Sequence, residues 1–217
     1  MALSDWTQYV DQNWSFLINV TTPIISSGTG RLAFTSISGG TSLTNIVVTA
    51  LSGRTKGVTK GKLRTLFRYD VPPPSGSVNW YGLAFMMSAE NAATGSGNHY
   101  RAQYNFNTGR IELIKALSTT ISGGSVIAQG PIFSPGNNVT IGFEVEWIKD
   151  IPELGGVAMF VKYGFATDYS DLTPVITYID TTSPFLVSVA ESIFAATGNP
   201  GGALWNLDFD QTTMFIP

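Results

Sequence analysis

The sequence predicts an all-β protein: a two-sheet antiparallel jelly-roll sandwich with a short N-terminal helix or arm. Short runs of alternating apolar and polar residues recur from residue 30 to the end of the chain. Turn residues, mainly Gly, Pro, Asn and Ser, separate these runs, and helical spacing is confined to the first twenty residues. A length of 217 residues suits one large β-domain. We therefore expect an arm over residues 1–20 and a single sandwich domain over residues 21–217.

The N-terminal segment carries the helical pattern. Its apolar residues follow one another at intervals of three or four positions, which is the spacing of one helix face: Leu3, Trp6, Val10, Trp14 and Leu17. Such a segment either packs on its own domain or docks onto a neighbouring subunit, and the sequence leaves both alternatives open. Trp6 and Trp14 are accordingly candidate partner-binding residues.

The strand patterns begin after residue 30. Alternate residues of a strand point the same way, so "KLRTLFRYD" (62–70) places four residues on one face: Leu63, Thr65, Phe67 and Tyr69. "HYRAQYNFNTGRIELIKA" (99–116) has the pattern of a hairpin with a turn at residues 107–109. In its first strand, three polar residues alternate with the aromatic and apolar ones: Arg101, Gln103 and Asn105. Further strands are expected at residues 31–36, 45–51, 81–88, 138–148, 157–164, 174–180, 185–190 and 203–210.

The composition excludes several classes of site. The chain has no cysteine, which rules out disulfides, thiolate metal sites and thiol nucleophiles. Its one histidine, His99, rules out any site that needs two imidazoles. No nucleotide-binding loop or zinc-protease motif is present, so we expect no cofactor and no metal. The first residues lack the pattern of a secretory leader, and no apolar run reaches the ~20 residues of a membrane helix, so no membrane partner is expected.

Charge is scarce and unevenly placed. Charged residues make up 12% of the chain, against roughly 25% in typical soluble proteins. Residues 1–143 hold ten Lys and Arg against five Asp and Glu, whereas residues 144–217 hold two against ten. Half of the cations fall in the basic segment, which we define as residues 54–68: Arg54, Lys56, Lys60, Lys62, Arg64 and Arg68.

The basic segment has two interpretations. It is an edge strand and its loop, kept from pairing by lysines, or it contacts an acidic partner surface, a second copy of this chain included. The second interpretation makes a set of candidate partner-binding residues: Arg54, Lys56, Lys60, Lys62 and Arg64. Nucleic acid is not expected as a partner, because the net charge is −3 and no aromatic-and-basic binding motif is present.

Three stretches resemble the concanavalin A-like lectin/glucanase superfamily, including its laminin-G-like members. They are "YGLAFMMSAEN…HYRAQYNFNTGRIELIKA" (81–116), "NNVTIGFEVEWIKDIPELGGVAMFVKYG" (137–164) and "GGALWNLDFDQTTMF" (201–215). The resemblance extends over roughly residues 24–216 and implies two curved antiparallel sheets in a jelly roll. That fold serves lectins, glucanases, adhesion modules and virion proteins, so it does not decide the function.

Two carboxylates in "GFEVEWIKD" (142–150) face the same way. Glu144 and Glu146 are two residues apart, on the face opposite the apolar residues of the run. The resemblance implies that a glucanase would have a third carboxylate at the next same-face position, where this chain has Ile148. We therefore expect the two glutamates to form a solvated outer face and not a catalytic pair.

Acids near the C-terminus are candidates for ligand binding. Asp208 and Asp210 form a same-face pair that suits sugar hydroxyls or Ca²⁺, and Asp168 and Asp171 suit Ca²⁺ likewise. Neither segment matches a calcium loop, and no metal site is assigned.

The favoured hypothesis is a non-enzymatic virion structural protein. The chain resembles the jelly-roll proteins that decorate bacteriophage capsids (cement proteins) or build their tails. It would be located in the virion, form a homo-oligomer and contact the major coat protein or other virion proteins. This hypothesis rests on the scarce surface charge, the distinct arm and the lack of an assembled active site.

The alternative is a carbohydrate-binding, lectin-like module, which could be part of a receptor-binding tail component. Its candidate residues are Trp80, Tyr81 and Asp208. Trp80 and Tyr81 follow a proline-rich loop (71–77), and they either sit at its tip, where they would stack on a sugar ring, or begin the next strand and point inward.

Overall fold

The computed structural model describes most of the chain as strands. The described residues are 7–10, 15–18, 24–26, 31–38, 44–50, 58–69, 79–88, 98–117, 123–165, 169–187, 190–197 and 204–216. They contain fifteen strands: β1 (Thr7–Val10), β2 (Ser15–Ile18), β3 (Ile24–Ser26), β4 (Arg31–Ser38), β5 (Thr44–Ala50), β6 (Lys60–Tyr69), β7 (Asn79–Met87), β8 (His99–Asn105), β9 (Arg110–Ala116), β10 (Ser125–Ile132), β11 (Ile141–Ile148), β12 (Val157–Phe165), β13 (Thr173–Asp180), β14 (Ala190–Thr197) and β15 (Leu204–Ile216).

The strands form two antiparallel sheets. The eight-stranded sheet has the order β13-β12-β11-β6-β15-β4-β3, and β1 also pairs with β15. The seven-stranded sheet has the order β10-β9-β8-β7-β14-β5-β2. Strands distant in sequence lie side by side in both sheets, as β6 does between β11 and β15. The predicted all-β, two-sheet antiparallel jelly-roll sandwich is confirmed.

The core lies between the two sheets, and strand alternation places its residues as expected. The four residues predicted for one face of β6 are all buried: Leu63, Thr65, Phe67 and Tyr69. Trp147 of β11 is fully buried and stacks on Phe85 of β7, with ring centroids 5.5 Å apart. The hydroxyls of Tyr81 and Tyr163 are in hydrogen-bonding contact between the sheets. Aromatic rings therefore supply much of the apolar contact that joins the sheets.

The predicted N-terminal helix is wrong. Residues 7–10 and 15–18 are strands, of which β1 pairs with β15 and β2 pairs with β5. The helical spacing of five apolar residues is a weak local signal, and backbone pairing with a sheet outweighs it. Trp6 and Trp14 lie outside the described residues. The domain boundary at residue 20 and the docking of this segment on a neighbouring subunit stay predictions.

Other strand predictions differ in their success. The hairpin of residues 99–116 is confirmed, and Gly109 adopts a left-handed φ of 63° in its turn. The strand expected at residues 185–190 is wrong, since residues 181–187 are irregular and β14 begins at Ala190. Strand β10 was not predicted, because Gly130 and Pro131 interrupt its pattern. Among the described residues, no helix is long and apolar enough to cross a membrane.

Candidate functional site

The outer face of the seven-stranded sheet carries a group of polar side chains. Because Tyr100, Ala102 and Tyr104 of β8 point into the core, the residues between them point outward. The register places Glu112 of β9 opposite Gln103, and Gln129 of β10 opposite Glu112. We call this group the amide face and define it by its members: Arg101, Gln103, Asn105, Glu112 and Gln129.

Glu112 is the centre of the amide face. Its carboxylate accepts hydrogen bonds from Gln103 Nε2 at 2.9 Å and from Asn105 Nδ2 at 3.2 Å. Two further donors are longer, Thr108 Oγ1 at 3.3 Å and Gln129 Nε2 at 3.5 Å. Glu112 is only 3% exposed. These donors therefore replace the hydrogen bonds from water that the carboxylate loses on burial.

Arg101 supplies the countercharge through a bridge. Its Nε donates to Gln103 Oε1 at 2.7 Å, and Gln103 in turn donates to Glu112. Its Nη1 donates to the carbonyl of Gly123 at 2.7 Å, and its guanidinium lies 5.1 Å from the ring centroid of Trp80. Burial lowers the pKa of Arg101 to about 10, and the charge of Glu112 opposes this shift. The cation and the carboxylate therefore balance each other across Gln103.

The end of the amide face near the β8–β9 turn is accessible. Asn105 is partly exposed, whereas Asn107, Thr108 and Gln129 are exposed. Asn105 Oδ1 accepts a hydrogen bond from the backbone N–H of Asn107 at 2.9 Å, which fixes the amide in an Asx-type turn. We call this end the rim and define it by Asn105, Thr108, Arg110 and Gln129. A ligand in solution can therefore contact the network at the rim.

Sequence reasoning missed Glu112. It sits between Ile111 and Leu113 of an apolar strand, and only the hairpin register shows that it faces Gln103. The signal was present, since a turn at residues 107–109 pairs residue 105 with 110 and therefore 103 with 112.

Of the two alternatives for Trp80 and Tyr81, the start of a strand is confirmed, and the loop tip, where they would stack on a sugar ring, is wrong. Strand β7 begins at Asn79, so neither ring lies at a loop tip, and Tyr81 is 0% and Trp80 7% exposed. Tyr81 points into the core, and Trp80 lies on the amide face beneath Arg101. Neither ring offers an open face to a sugar. For Asp208 the structure describes the backbone in β15, opposite Arg68, but not the side chain, and its role stays a prediction.

The outer face of the eight-stranded sheet carries opposite charges in direct contact. We call it the charged face and define it by Lys62, Arg64, Glu144, Glu146 and Lys162. Glu144 Oε1 lies 2.9 Å from Lys162 Nζ and 3.7 Å from Lys62 Nζ, and Glu146 Oε2 lies 3.1 Å from Lys62 Nζ. Glu144 is only 4% exposed, so the expectation of a solvated face is wrong for this residue.

Residues 169–172, which precede β13, cover part of the charged face. A Cβ on Gly142 would lie 2.5 Å from Leu172 Cδ2, so the glycine leaves the room that Leu172 fills. The Arg64 guanidinium lies 4.0 Å from the ring centroid of Tyr169 and 4.5 Å from that of Phe215. Burial lowers the pKa of Arg64, while Tyr169 and Glu144 oppose the shift.

The described part of the basic segment, residues 58–68, does not form an edge strand. Its part in β6 pairs on both sides, with β11 and with β15, so that interpretation is wrong. The cations whose contacts are described, Lys62 and Arg64, contact carboxylates and aromatic rings of the same chain. Lys60 is partly exposed, and Arg54 and Lys56 lie outside the described residues. Binding of a protein partner by this segment stays a prediction.

No protein-family model matches the chain, and no curated protein matches it either. Solved structures do. Lectin II from Ulex europaeus is 11% identical over 97% of both chains, with a TM-score of 0.59. The exoplasmic/lumenal domain of VIP36 in its Ca²⁺/Man3GlcNAc-bound form is 10% identical over 94% of this chain and 82% of that one, with a TM-score of 0.60. Alginate lyase Aly36B is 13% identical over 89% and 82%, with a TM-score of 0.56.

At these identities the comparisons show the fold alone, which is that of the concanavalin A-like lectins. None of the three structures is a virion protein. Calcium needs six to eight oxygen ligands, and within the described part of the chain no three His, Asp or Glu side chains converge. Asp171 is exposed, and Asp168 lies outside the described residues. The described residues therefore do not fit a calcium site.

Proposed function

We propose that the chain is a carbohydrate-binding, lectin-like module and that its site is the rim of the amide face. One observation carries the proposal: Glu112 holds the amide groups of Asn105 and Gln129 in place beside solvent. Structures with this fold support it, among them a lectin complexed with galactose and a domain bound to Man3GlcNAc.

The chemistry of the rim suits sugar hydroxyls. Each hydroxyl donates one hydrogen bond and accepts up to two, and an amide side chain both donates and accepts. Gln129 donates to Glu112, and its Oε1 makes no hydrogen bond within the described part of the chain. Because Glu112 orients the rim before the ligand arrives, binding costs less side-chain entropy.

We propose binding without cleavage. Retaining glycosidases need two carboxyl groups about 5–5.5 Å apart, one of them as nucleophile. Glu112 accepts hydrogen bonds from neighbouring donors, and Glu144 and Glu146 contact lysines. The alginate lyase of the same fold is a reminder that the fold itself permits catalysis. Glycosidase activity that is lost on replacing Glu144 and Glu146 by Gln would contradict the proposal.

The virion role expected from the sequence has no support among the named structures. It stays a prediction, and co-purification of the chain with coat protein from its native source would test it. The same holds for the predicted homo-oligomer.

A glycan array probed with the full chain tests the lectin proposal first. A hit is then titrated calorimetrically against Glu112→Gln, Thr108→Ala and Gln129→Ala. We expect Glu112→Gln to weaken binding at least about tenfold, since a fixed hydrogen bond to a charged group contributes about 1.5–3 kcal/mol. The two exposed rim variants should each weaken it about threefold to tenfold.

Asp171→Asn is the matched control, because Asp171 is exposed and lies on the eight-stranded sheet side, between β12 and β13. It removes one carboxylate and should leave binding unchanged. Melting curves of all variants show which remain folded, and the exposed rim variants keep the test valid if Glu112→Gln unfolds. A blank array, or a hit that no rim variant weakens, would refute the site.

A further inference from the structure

We infer, on the basis of the proposed function, that the saccharide carries a carboxylate and that Arg110 recognises it. Arg110 belongs to the rim, where the register places it between Asn105 of β8 and Ile132 of β10 on the outer face. The ligand class is therefore an acidic saccharide built from hexuronate units.

Among the described residues of the amide face and its rim, no carboxylate pairs with Arg110. Glu112 is the acid of this face, and its charge is matched by Arg101 through the Gln103 bridge. Arg110 makes no ion pair within the described part of the chain. Lys62, Lys115 and Lys162, by contrast, each contact a carboxylate. A cation at the mouth of a polar site attracts an anionic ligand.

Arg110 is also held in one orientation. Its Nη1 donates to the carbonyl of Gly130 at 3.0 Å, which ties the guanidinium to the edge strand β10. The remaining N–H groups make no described contact, and the residue is partly exposed. A planar guanidinium presents paired donors that match both oxygens of a carboxylate.

The apolar neighbour of Arg110 favours a sugar over a small anion. Ile132 is 66% exposed and lies beside Arg110 in the register. Its Cγ2 approaches the hairpin turn, 3.5 Å from the position of a Cβ on Gly109. A hexuronate ring has both features that this arrangement needs: an anionic edge for Arg110 and a C–H face that covers Ile132.

The test compares uronate oligosaccharides with their carboxyl-reduced forms, which have the same rings without the charge. The full-length chain is titrated with oligomannuronate, oligogalacturonate and the reduced form of each. We expect the acidic form to bind at least about tenfold tighter, because a charge-assisted, bidentate pair is about twice as strong as a neutral hydrogen bond. Raising the salt concentration should narrow the difference.

Three variants assign the preference to its residue. Arg110→Gln should bring the affinity for the acidic form to within about twofold of the affinity for the reduced form. Arg110→Lys should retain an intermediate ratio, since it keeps the charge and loses the paired donors. Arg68→Gln is the matched control: Arg68 is an exposed cation on the eight-stranded sheet, and its loss should leave the ratio unchanged.

The outcomes separate the inference from the proposed function. Neutral and acidic forms that bind equally, or a preference that Arg110→Gln leaves intact, overturn the inference and leave the lectin proposal standing. Failure of every saccharide to bind overturns both. A sulfated neutral oligosaccharide that binds as tightly as the uronate overturns the choice of a carboxylate, since the site would then recognise any anionic sugar.

Discussion

The two outer faces of the sandwich both bury charge, but they balance it in different ways. On the charged face, Glu144 contacts Lys62 and Lys162 directly. On the amide face, Glu112 is held by neutral donors, and its countercharge on Arg101 is one side chain away. On the charged face, the carboxylates and lysines pair with one another. On the amide face, oriented polar groups remain at the rim.

The difference indicates which face stabilises and which face binds. A buried ion pair spends its attraction on offsetting its own desolvation, and residues 169–172 cover part of that face with Leu172 and Tyr169. The rim of the amide face stays open, with Asn107, Thr108 and Gln129 exposed. We therefore expect substitutions on the charged face to change stability, and substitutions at the rim to change binding.

The largest effect on stability is expected from Glu144→Gln. This change removes the carboxylate that Lys162 contacts and one of the two that contact Lys62, and breaking a buried pair costs about 3 kcal/mol of the free energy of unfolding. Glu146→Gln is the matched control, since Glu146 is more exposed and, among the described residues, pairs with Lys62 alone. It should cost less than about 1 kcal/mol. Urea unfolding measures both.

The comparison fails if the two glutamate variants cost the same, because burial would then not decide the strength of these pairs. It fails also if Glu144→Gln weakens saccharide binding as much as Glu112→Gln does. Titration of each variant with the saccharide separates these outcomes.

Strand alternation made much of the fold predictable. The inward residues of β6 and the hairpin of β8 and β9 follow from period-two patterns and a glycine-containing turn. The outward direction of Arg101, Gln103 and Asn105 follows from the same rule. Strand β10 was not predicted, because Pro131 and two register shifts interrupt its alternation.

Burial of the outer faces was not predictable from periodicity. The pattern says which way Glu144 points, but only the fold of a distant segment decides whether Leu172 and Tyr169 cover that face. The charge asymmetry along the chain was also not enough to predict which strands are neighbours. It suggested contact with an acidic partner surface, which stays a prediction, but it did not reveal that β6 of the basic segment lies beside the acidic strand β11 of the same molecule. Sequence alone does not give strand neighbours.

An intermediate effect is expected in the core that both faces share. Burial raises the pKa of Tyr81 and Tyr163 well above the usual value for tyrosine, and that of Tyr104 to about 12. Tyr163→Phe leaves the Tyr81 hydroxyl without its partner and should cost about 2 kcal/mol. The double variant Tyr81→Phe with Tyr163→Phe removes both hydroxyls and should be nearly neutral at pH 7.

Alkaline pH tests the same pair. Unfolded tyrosines lose their protons near pH 10 while the folded chain keeps them, so the free energy of unfolding falls as the pH rises above about 10. Each buried tyrosine adds up to about 1.4 kcal/mol per pH unit to this fall. The double variant should therefore lose stability less steeply than the parent chain between pH 10 and 12. An unchanged slope would mean that these hydroxyls titrate normally.

The smallest effect is expected from the ring that covers Arg64. Tyr169→Leu removes one of two aromatic faces from the guanidinium and should cost about 1 kcal/mol, because Phe215 still contacts the cation. Tyr169→Phe keeps the ring and should cost less than half as much. Equal losses in the two variants would assign the stabilisation to the hydroxyl. Since Tyr169 lies on the charged face, neither variant should change saccharide binding, and a change in affinity would mean that the two outer faces are coupled through the core between them.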